Sequence, residues 1–273
     1  MSSSNKLKVL SPAKINLILK VLGQRQDGYH LLQTYFQLLN WGDSMQFCPL
    51  KEDIVNIKGK FHGLDIKYNL IYKALELLRP YRKVKTGIDI KVNKIIPQGS
   101  GLGGGSSNAA TTLLMMNDLW NCQLNNFELQ QLGLTLGADV PVFILNRSAM
   151  AEGIGEKLTP YMITPYYYVL IFPPSSIATK DVFENKTLIR NDKAILNYEL
   201  LNNSSNWSNT CLPVVLDHYP EVKSYYTIAN NLSPTYMSGT GSTLFCAFEN
   251  LVDAKKFIKL CPQEWNLQIS KAK

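Results

Sequence analysis

Ile96-Pro97-Gln98-Gly99-Ser100-Gly101-Leu102-Gly103-Gly104-Gly105-Ser106-Ser107-Asn108-Ala109-Ala110 carries five glycines within seven residues. Before it, Ile88, Ile90 and Val92 alternate with polar residues over 86–96, a strand pattern. After it, Ser106–Trp120 is rich in Ala, Leu and Met and predicts a helix. The unit is therefore strand, glycine loop, helix. A plain turn needs one or two glycines, not five. Glycines admit positive φ and let the backbone approach a ligand closely. The helix that follows adds unpaired N–H donors and the positive end of its dipole. Such a loop suits phosphate.

Known phosphate loops sort the possibilities. A Walker A loop needs Lys before the Ser/Thr, where this chain has Gly105. Gly99, Gly101 and Gly104 match the dinucleotide fingerprint, but the next segment predicts another helix instead of the second strand of a βαβ unit. A protein-kinase loop comes with a His-Arg-Asp motif, which is absent. Ser106 and Ser107 are open to two readings, N-caps or hydroxyls for a phosphate or Mg²⁺.

Working outward, residues 7–22 read as a strand with Ile15, Leu17, Leu19 and Val21 on one face and Lys14 and Asn16 on the other. Gln24–Gly28 is a polar turn. A second strand covers 31–47, interrupted at Trp41-Gly42-Asp43. Residues 69–79 have helical spacing with Asn69 as N-cap, and a further helix covers 126–134. Tyr166–Phe172 reads as a central strand stopped by Pro173-Pro174, and Asn202–Asn209 as a surface loop. Strands and helices mix without regular alternation, so the fold class is α+β. The domain boundary falls around Pro160–Pro165.

Two further residues complete a chemical set. Taken alone, Lys14 reads as a surface lysine, and Asp139 in Leu136-Gly-Ala-Asp-Val-Pro141 as a cap or turn residue. Beside a phosphate loop they mean more. Phosphoryl transfer to an alcohol needs a carboxylate for the hydroxyl proton and cations for the phosphoryl charge.

The 273 residues suffice for one large or two ordinary domains. Hydrophobic residues at 45% and charged residues at 18% exclude a disordered chain. The net charge of +7 is scattered, with no run of five basic residues, and names no partner by itself. Five cysteines without a Cys-x-x-Cys pair, and only His30, His62 and His218, argue against zinc and disulfides and suit a reducing cytoplasm. No segment approaches the roughly 20 apolar residues of a membrane span.

Three segments resemble the GHMP kinases, the galactose, homoserine, mevalonate and phosphomevalonate kinase superfamily. They are Pro12-Ala-Lys-Ile-Asn-Leu17, Pro97–Ser107 and Met237-Ser-Gly-Thr-Gly-Ser-Thr-Leu-Phe245. Asp27–Thr34, Leu136–Pro141 and Ala151–Pro160 look like members whose acceptor alcohol is linked to cytidine diphosphate. The resemblance covers most of 10–160 and resumes at 236–248. It implies a ribosomal-S5-domain-2-like α/β domain over 1–160 and a ferredoxin-like α+β domain over 161–273. It implies ATP with Mg²⁺, a small cytidine diphosphate substrate, a cytoplasmic monomer or weak homodimer, and neither nucleic acid nor membrane as partner. The alternative is a homoserine or mevalonate type of kinase.

Residue by residue, the resemblance puts Lys14 and Asp139 at the catalytic positions. Asn16 would orient the substrate. Tyr29 and Phe183 would sandwich the cytosine, His30 would bond its edge, and Thr179 would contact the substrate. Asn69 and Lys94 would lie by the adenine. Pro97, Gln98, Gly99, Ser100, Gly101, Leu102, Gly103, Gly104, Gly105, Ser106 and Ser107 would hold the phosphates. Gly239 and Gly241 would let the third motif approach. No metal ligands of the protein are implied; Mg²⁺ would rest on ATP phosphates and a helix-start serine. Thr210 and Leu212 depart from the acidic pattern that relatives often carry.

Overall fold

Each strand and helix read from periodicity has a counterpart in the computed structural model, which describes residues 6–61 and 65–273. His62 lies outside the described residues. In chain order the elements are β1 (Leu7–Gln24), β2 (His30–Leu50), β3 (Val55–Gly59), α1 (Leu70–Leu78), β4 (Gly87–Asn93), α2 (Gly104–Leu119), α3 (Asn126–Leu134), α4 (Val140–Leu145), β5 (Ala149–Gly153), β6 (Lys157–Pro160), β7 (Tyr167–Ile171), α5 (Thr179–Phe183), α6 (Leu212–His218), α7 (Pro220–Leu232), β8 (Thr235–Met237), β9 (Leu244–Phe248), α8 (Leu251–Leu260) and β10 (Leu267–Lys271). The chain forms two compact units. One comprises Met1–Ala13, Trp41–Pro97 and Gly103–Asn146, the other Lys14–Asn40, Gln98–Leu102 and Arg147–Lys273.

In the first unit, Ser44–Leu50 of β2 pairs antiparallel with β4, and β3 lies parallel to β4. Helix α1 starts at the expected cap, where Asn69 Oδ1 accepts the Ile71 N–H at 2.9 Å. It buries Ile71, Ala74, Leu75 and Leu78, and it packs on α2. Helix α2 buries Ser107 through Leu113 without interruption, so small side chains (Ala109, Ala110, Thr111, Thr112) suit this crowded element. Trp120 closes the unit below it, fully buried, with its Nε1–H donated to Thr86 O at 2.8 Å.

Three sequence expectations need correction here. Strand β2 runs through Trp41-Gly42-Asp43 unbroken. The glycine is there for contact: a Cβ on Gly42 would overlap Ser11 O and come 2.7 Å from Pro12 Cα, so a neighbouring backbone occupies that space. Helix α2 starts at Gly104, before the two serines, because Gly103 in the left-handed region (φ 70°) is the N-cap. Ser106 and Ser107 are thus inside the helix and cap nothing.

In the second unit, Leu32–Phe36 of β2 pairs antiparallel with β5, which pairs with β6. A separate four-stranded antiparallel sheet has the order β10-β7-β9-β8. Counted from β7, that order is fourth, first, third, second, with helices between β7 and β8 and between β9 and β10, the ferredoxin-like arrangement. Strand β7 is internal, as its apolar run requires. Val169, Ile171, Val215, Met237, Leu244 and Phe257 are among its core residues. The stretch 202–209 is not wholly surface. Trp207 is buried, donates to Leu201 O at 2.8 Å and meets Tyr236 edge-on at 5.1 Å. An indole is large enough to anchor an otherwise polar loop to the sheet. All five cysteines are free, and burial pushes Cys211 and Cys246 up to about 12.

Candidate active site

The glycine loop meets the first and third motifs inside the second unit. Lys14 donates its backbone N–H to Leu102 O at 3.1 Å, and Thr243 donates to Ser100 O at 3.2 Å. Ser238 Oγ donates to Gly101 O at 2.9 Å and accepts the Asn16 N–H at 3.3 Å. Gly101 has φ 74°, and a Cβ there would overlap Ser238 O. Only glycine fits this point, on both counts. A Cβ on Gly239 would sit 3.3 Å from Gly101 Cα and 3.5 Å from Asn16 Oδ1. The third motif is braced from behind by Asn209, whose Nδ2 donates to Met237 O and Gly239 O, both at 2.8 Å. The departure at Thr210 also has a structural use: its hydroxyl donates to Asp192 Oδ2 at 2.6 Å.

Lys14 is not a surface lysine. It is 3% exposed, because β1 is buried on both faces from Ser11 to Leu19. Its Nζ donates to Asn16 Oδ1 at 2.7 Å and lies 5.4 Å from the centre of the Phe36 ring. Two links fix the Asn16 amide in turn. Its Nδ2 donates to Thr34 Oγ1 at 2.7 Å, and Thr34 Oγ1 donates to Ile18 O at 2.5 Å. An ammonium and an amide held this way are pre-oriented, and a buried ammonium acts on nearby charge more strongly than one in water.

The start of α2 and Asp139 belong to the first unit. Gly103 offers no side-chain cap, and no acidic residue stands in the first turn, so the leading N–H groups of a sixteen-residue helix keep their donors for a ligand. Gly99, Gly101 and Gly103 all take left-handed φ (64°, 74° and 70°), which folds the backbone sharply ahead of those donors. This donor set fits an anion of phosphate type. Asp139 is at the start of α4, with no side-chain cap bond to that helix. Helix α4 packs on α2, and a Cβ on Gly137 would come 3.8 Å from Ser106 Oγ. The Asp139 turn therefore lies beside the first turn of α2.

Beneath that turn is a buried polar chain that sequence reading missed. Asp43, fully buried, accepts the Ile95 and Ile96 N–H groups at 2.8 and 3.0 Å through Oδ1. Its Oδ2 pairs with Lys94 Nζ and accepts Asn108 Nδ2 at 3.0 Å. Asn108 also accepts from Lys94 at 2.9 Å and donates to Ser11 Oγ at 2.8 Å, and Ser11 Oγ bonds Ser107 Oγ at 2.8 Å. Lys94, expected by the adenine, is held at this chain, and Asn69 by its cap bond. Ser107 is committed to Ser11, which leaves half-buried Ser106 as the helix-start serine open toward a ligand. Asp43 gave no sequence signal, since a lone Asp after Gly reads as turn.

The aromatic group has another character. Tyr29 is 61% exposed, beside the Arg25–Gly28 turn where Arg25 N donates to Tyr29 O at 2.7 Å. His30 opens β2 and stacks on Phe183, with ring centres 5.0 Å apart and planes 26° from parallel. Burial and the neighbouring Arg190 charge hold the imidazole below its usual pKa. Thr179 is exposed at the start of α5, its hydroxyl 3.2 Å from Thr240 Oγ1. Among the described residues no group of three His, Cys, Asp or Glu could hold a metal.

The GHMP kinase N-terminal domain family matches residues 69–147, and the GHMP kinase C-terminal family matches 186–265. The 4-diphosphocytidyl-2-C-methyl-D-erythritol kinase of Marinomonas sp. strain MWYL1 is 43% identical over 264 residues, 96% of this chain and 86% of that protein. The protein of the same name from Pseudomonas fluorescens strain SBW25 is 43% identical over 92% of this chain and 88% of its own length. The chain belongs to the 4-diphosphocytidyl-2-C-methyl-D-erythritol kinase family of GHMP kinases. A crystal structure of a 4-(cytidine 5'-diphospho)-2C-methyl-D-erythritol kinase superposes on this GHMP kinase with a TM-score of 0.85, at 30% identity, over 97% of this chain and 98% of that one. The Methanococcus jannaschii mevalonate kinase, at 13% identity and a TM-score of 0.72 over 100% of this chain and 99% of its own, shares the fold alone.

Proposed function

We propose that this kinase transfers the γ-phosphoryl group of ATP to the 2-hydroxyl of 4-diphosphocytidyl-2-C-methyl-D-erythritol, in the non-mevalonate route to isoprenoid precursors. The observation that carries the reading is the uncapped start of α2, reached through three left-handed glycines, with the Asp139 turn beside it. The names of the relatives set the acceptor.

In the reaction the acceptor oxygen bonds to the γ-phosphorus, the bond from that phosphorus to the β–γ bridging oxygen breaks, and ADP leaves with the pair. Asp139 accepts the hydroxyl proton. Lys14, held by Asn16, offsets negative charge as it builds on the acceptor oxygen and the phosphoryl group. Residues 97–107 hold the phosphates through backbone N–H groups. Ser106 and ATP phosphate oxygens are the ligands we assign to Mg²⁺, which when bound neutralises phosphate charge. Asn69 and Lys94 take the adenine end. Asn16, Tyr29, His30, Thr179 and Phe183 take the cytidine substrate.

We further assign the protein to the cytoplasm as a monomer or weak homodimer, with no nucleic-acid partner, and keep 160/161 as its domain boundary. No helix among the described residues is long and apolar enough to cross a membrane. ADP release measured with 4-diphosphocytidyl-2-C-methyl-D-erythritol, homoserine, mevalonate and no acceptor tests the activity. ADP formation confined to the cytidine substrate is expected. Faster turnover of homoserine or mevalonate would replace the reading with the other GHMP type.

A further inference from the structure

Arg190 does nothing that phosphoryl transfer asks for, yet it is among the most constrained side chains of the second unit. Its Nη2 donates to Phe183 O at 2.8 Å and to Asn185 O at 2.9 Å, and its Nη1 to Leu188 O at 3.0 Å. Those bonds clamp the guanidinium to the backbone that carries the Phe183 ring. Its Nε–H points at His30 Nε2 at 3.2 Å.

An arginine nitrogen only donates. His30 Nε2 must therefore accept, so the ring is neutral and its proton is on Nδ1. The stack on Phe183 fixes the plane of that ring, and Arg190 fixes its rotation within the plane. The depressed pKa of His30 agrees with a neutral ring. Among the described residues no hydrogen bond uses Nδ1, which leaves an oriented donor.

We propose that Arg190 is a positioning residue for base selectivity: by fixing the Nδ1–H form of His30 it makes the pyrimidine subsite favour cytosine over uracil. The inference rests on the reading of His30 as the residue that bonds the base edge. Cytosine presents two acceptors on that edge, N3 and O2, whereas uracil carries a hydrogen on N3. An Nδ1–H donor pairs with the first and opposes the second. The opposite tautomer would present an acceptor and would favour uracil. A subsite built to hydrogen-bond one edge discriminates strongly against an analogue that leaves its polar group unpaired.

Two measurements test this. Nitrogen-15 spectra of the uncomplexed protein at neutral pH report the His30 tautomer without any need for turnover. The wild type should carry its proton on Nδ1, and Arg190→Met should lose that preference. The second is the ratio of kcat/KM for 4-diphosphocytidyl-2-C-methyl-D-erythritol to that for its uridine counterpart. Arg190→Met should lower the ratio at least about 10-fold, through KM for the pyrimidine substrate and with KM for ATP unchanged. Arg190→Lys, which keeps a donor, should recover part of it. In a His30→Phe background, Arg190→Met should change the ratio no further. A wild-type His30 protonated on Nε2 overturns the proposal, as does an equal loss with both substrates. If Arg190→Met does not fold, His30→Phe decides alone, and an unchanged ratio contradicts the inference. A protein that releases no ADP with either substrate but shows the Nδ1–H form fails the proposed function and leaves the tautomer assignment standing.

Discussion

Two regions of the second unit contrast. Around Lys14, Asn16, Gly101 and Ser238 nearly every polar atom has a partner, and the side chains are buried. Around Tyr29, His30, Thr179 and Phe183 the side chains are half-buried or exposed, and Arg190 clamps the His30 ring to the backbone of Phe183. The difference follows from what each would bind. Phosphoryl transfer rewards groups fixed before the reaction begins, since charge develops in a transition state too brief for them to reorganise. A base that must enter and leave needs an accessible aromatic face, which supplies stacking energy with little geometric demand.

The contrast can be broken at several points. Lys14→Met removes the oriented ammonium and should lower kcat by about 10²–10³-fold with little change in KM for the cytidine substrate, as measured by steady-state kinetics. A fall below 10-fold would move Lys14 out of the buried region's chemistry. Gly101→Ala forces a Cβ onto Ser238 O at a left-handed φ, strain of roughly 1–3 kcal/mol or more, and should raise the ATP Kd about 10–100-fold by calorimetry. Tyr29→Ala should cost about 1–3 kcal/mol, read as a higher KM for the cytidine substrate at constant KM for ATP. A rise in the ATP KM instead would show that the two regions are not separate in function. Asp43→Asn weakens the bonds beneath the loop and should lower Tm and raise the ATP KM by a few-fold, an effect of about 1–2 kcal/mol.

The same contrast explains what could be read from the sequence. Glycines 99, 101 and 103 announce the phosphate loop because the backbone demand and the residue that meets it share one position. The strand Leu7–Gln24 and the helix Asn126–Leu134 were legible for the same reason: their periodicity is local. The burial of Lys14 was not, since it depends on β1 being covered on both faces, and one strand's alternation reports only one. Asp43, Asn108 and Ser11 escaped notice because their chain spans 97 residues of sequence between Ser11 and Asn108. Tyr29, His30 and Phe183 entered through resemblance alone, and Arg190 not at all, being 160 residues from the histidine it orients. The ferredoxin-like sheet was likewise implied by resemblance, for its strands are short and its order is a matter of tertiary pairing.

In the proposed reaction Asp139 serves the chemistry while the loop and helix start hold the nucleotide. Asp139→Asn, examined for single-turnover ADP formation and for ATP affinity in the same preparation, tests it most directly. A rate loss of about 10²–10⁴-fold is expected, with the ATP Kd within a few-fold of wild type. A near-normal rate, or a loss explained by failure to bind ATP, would contradict it.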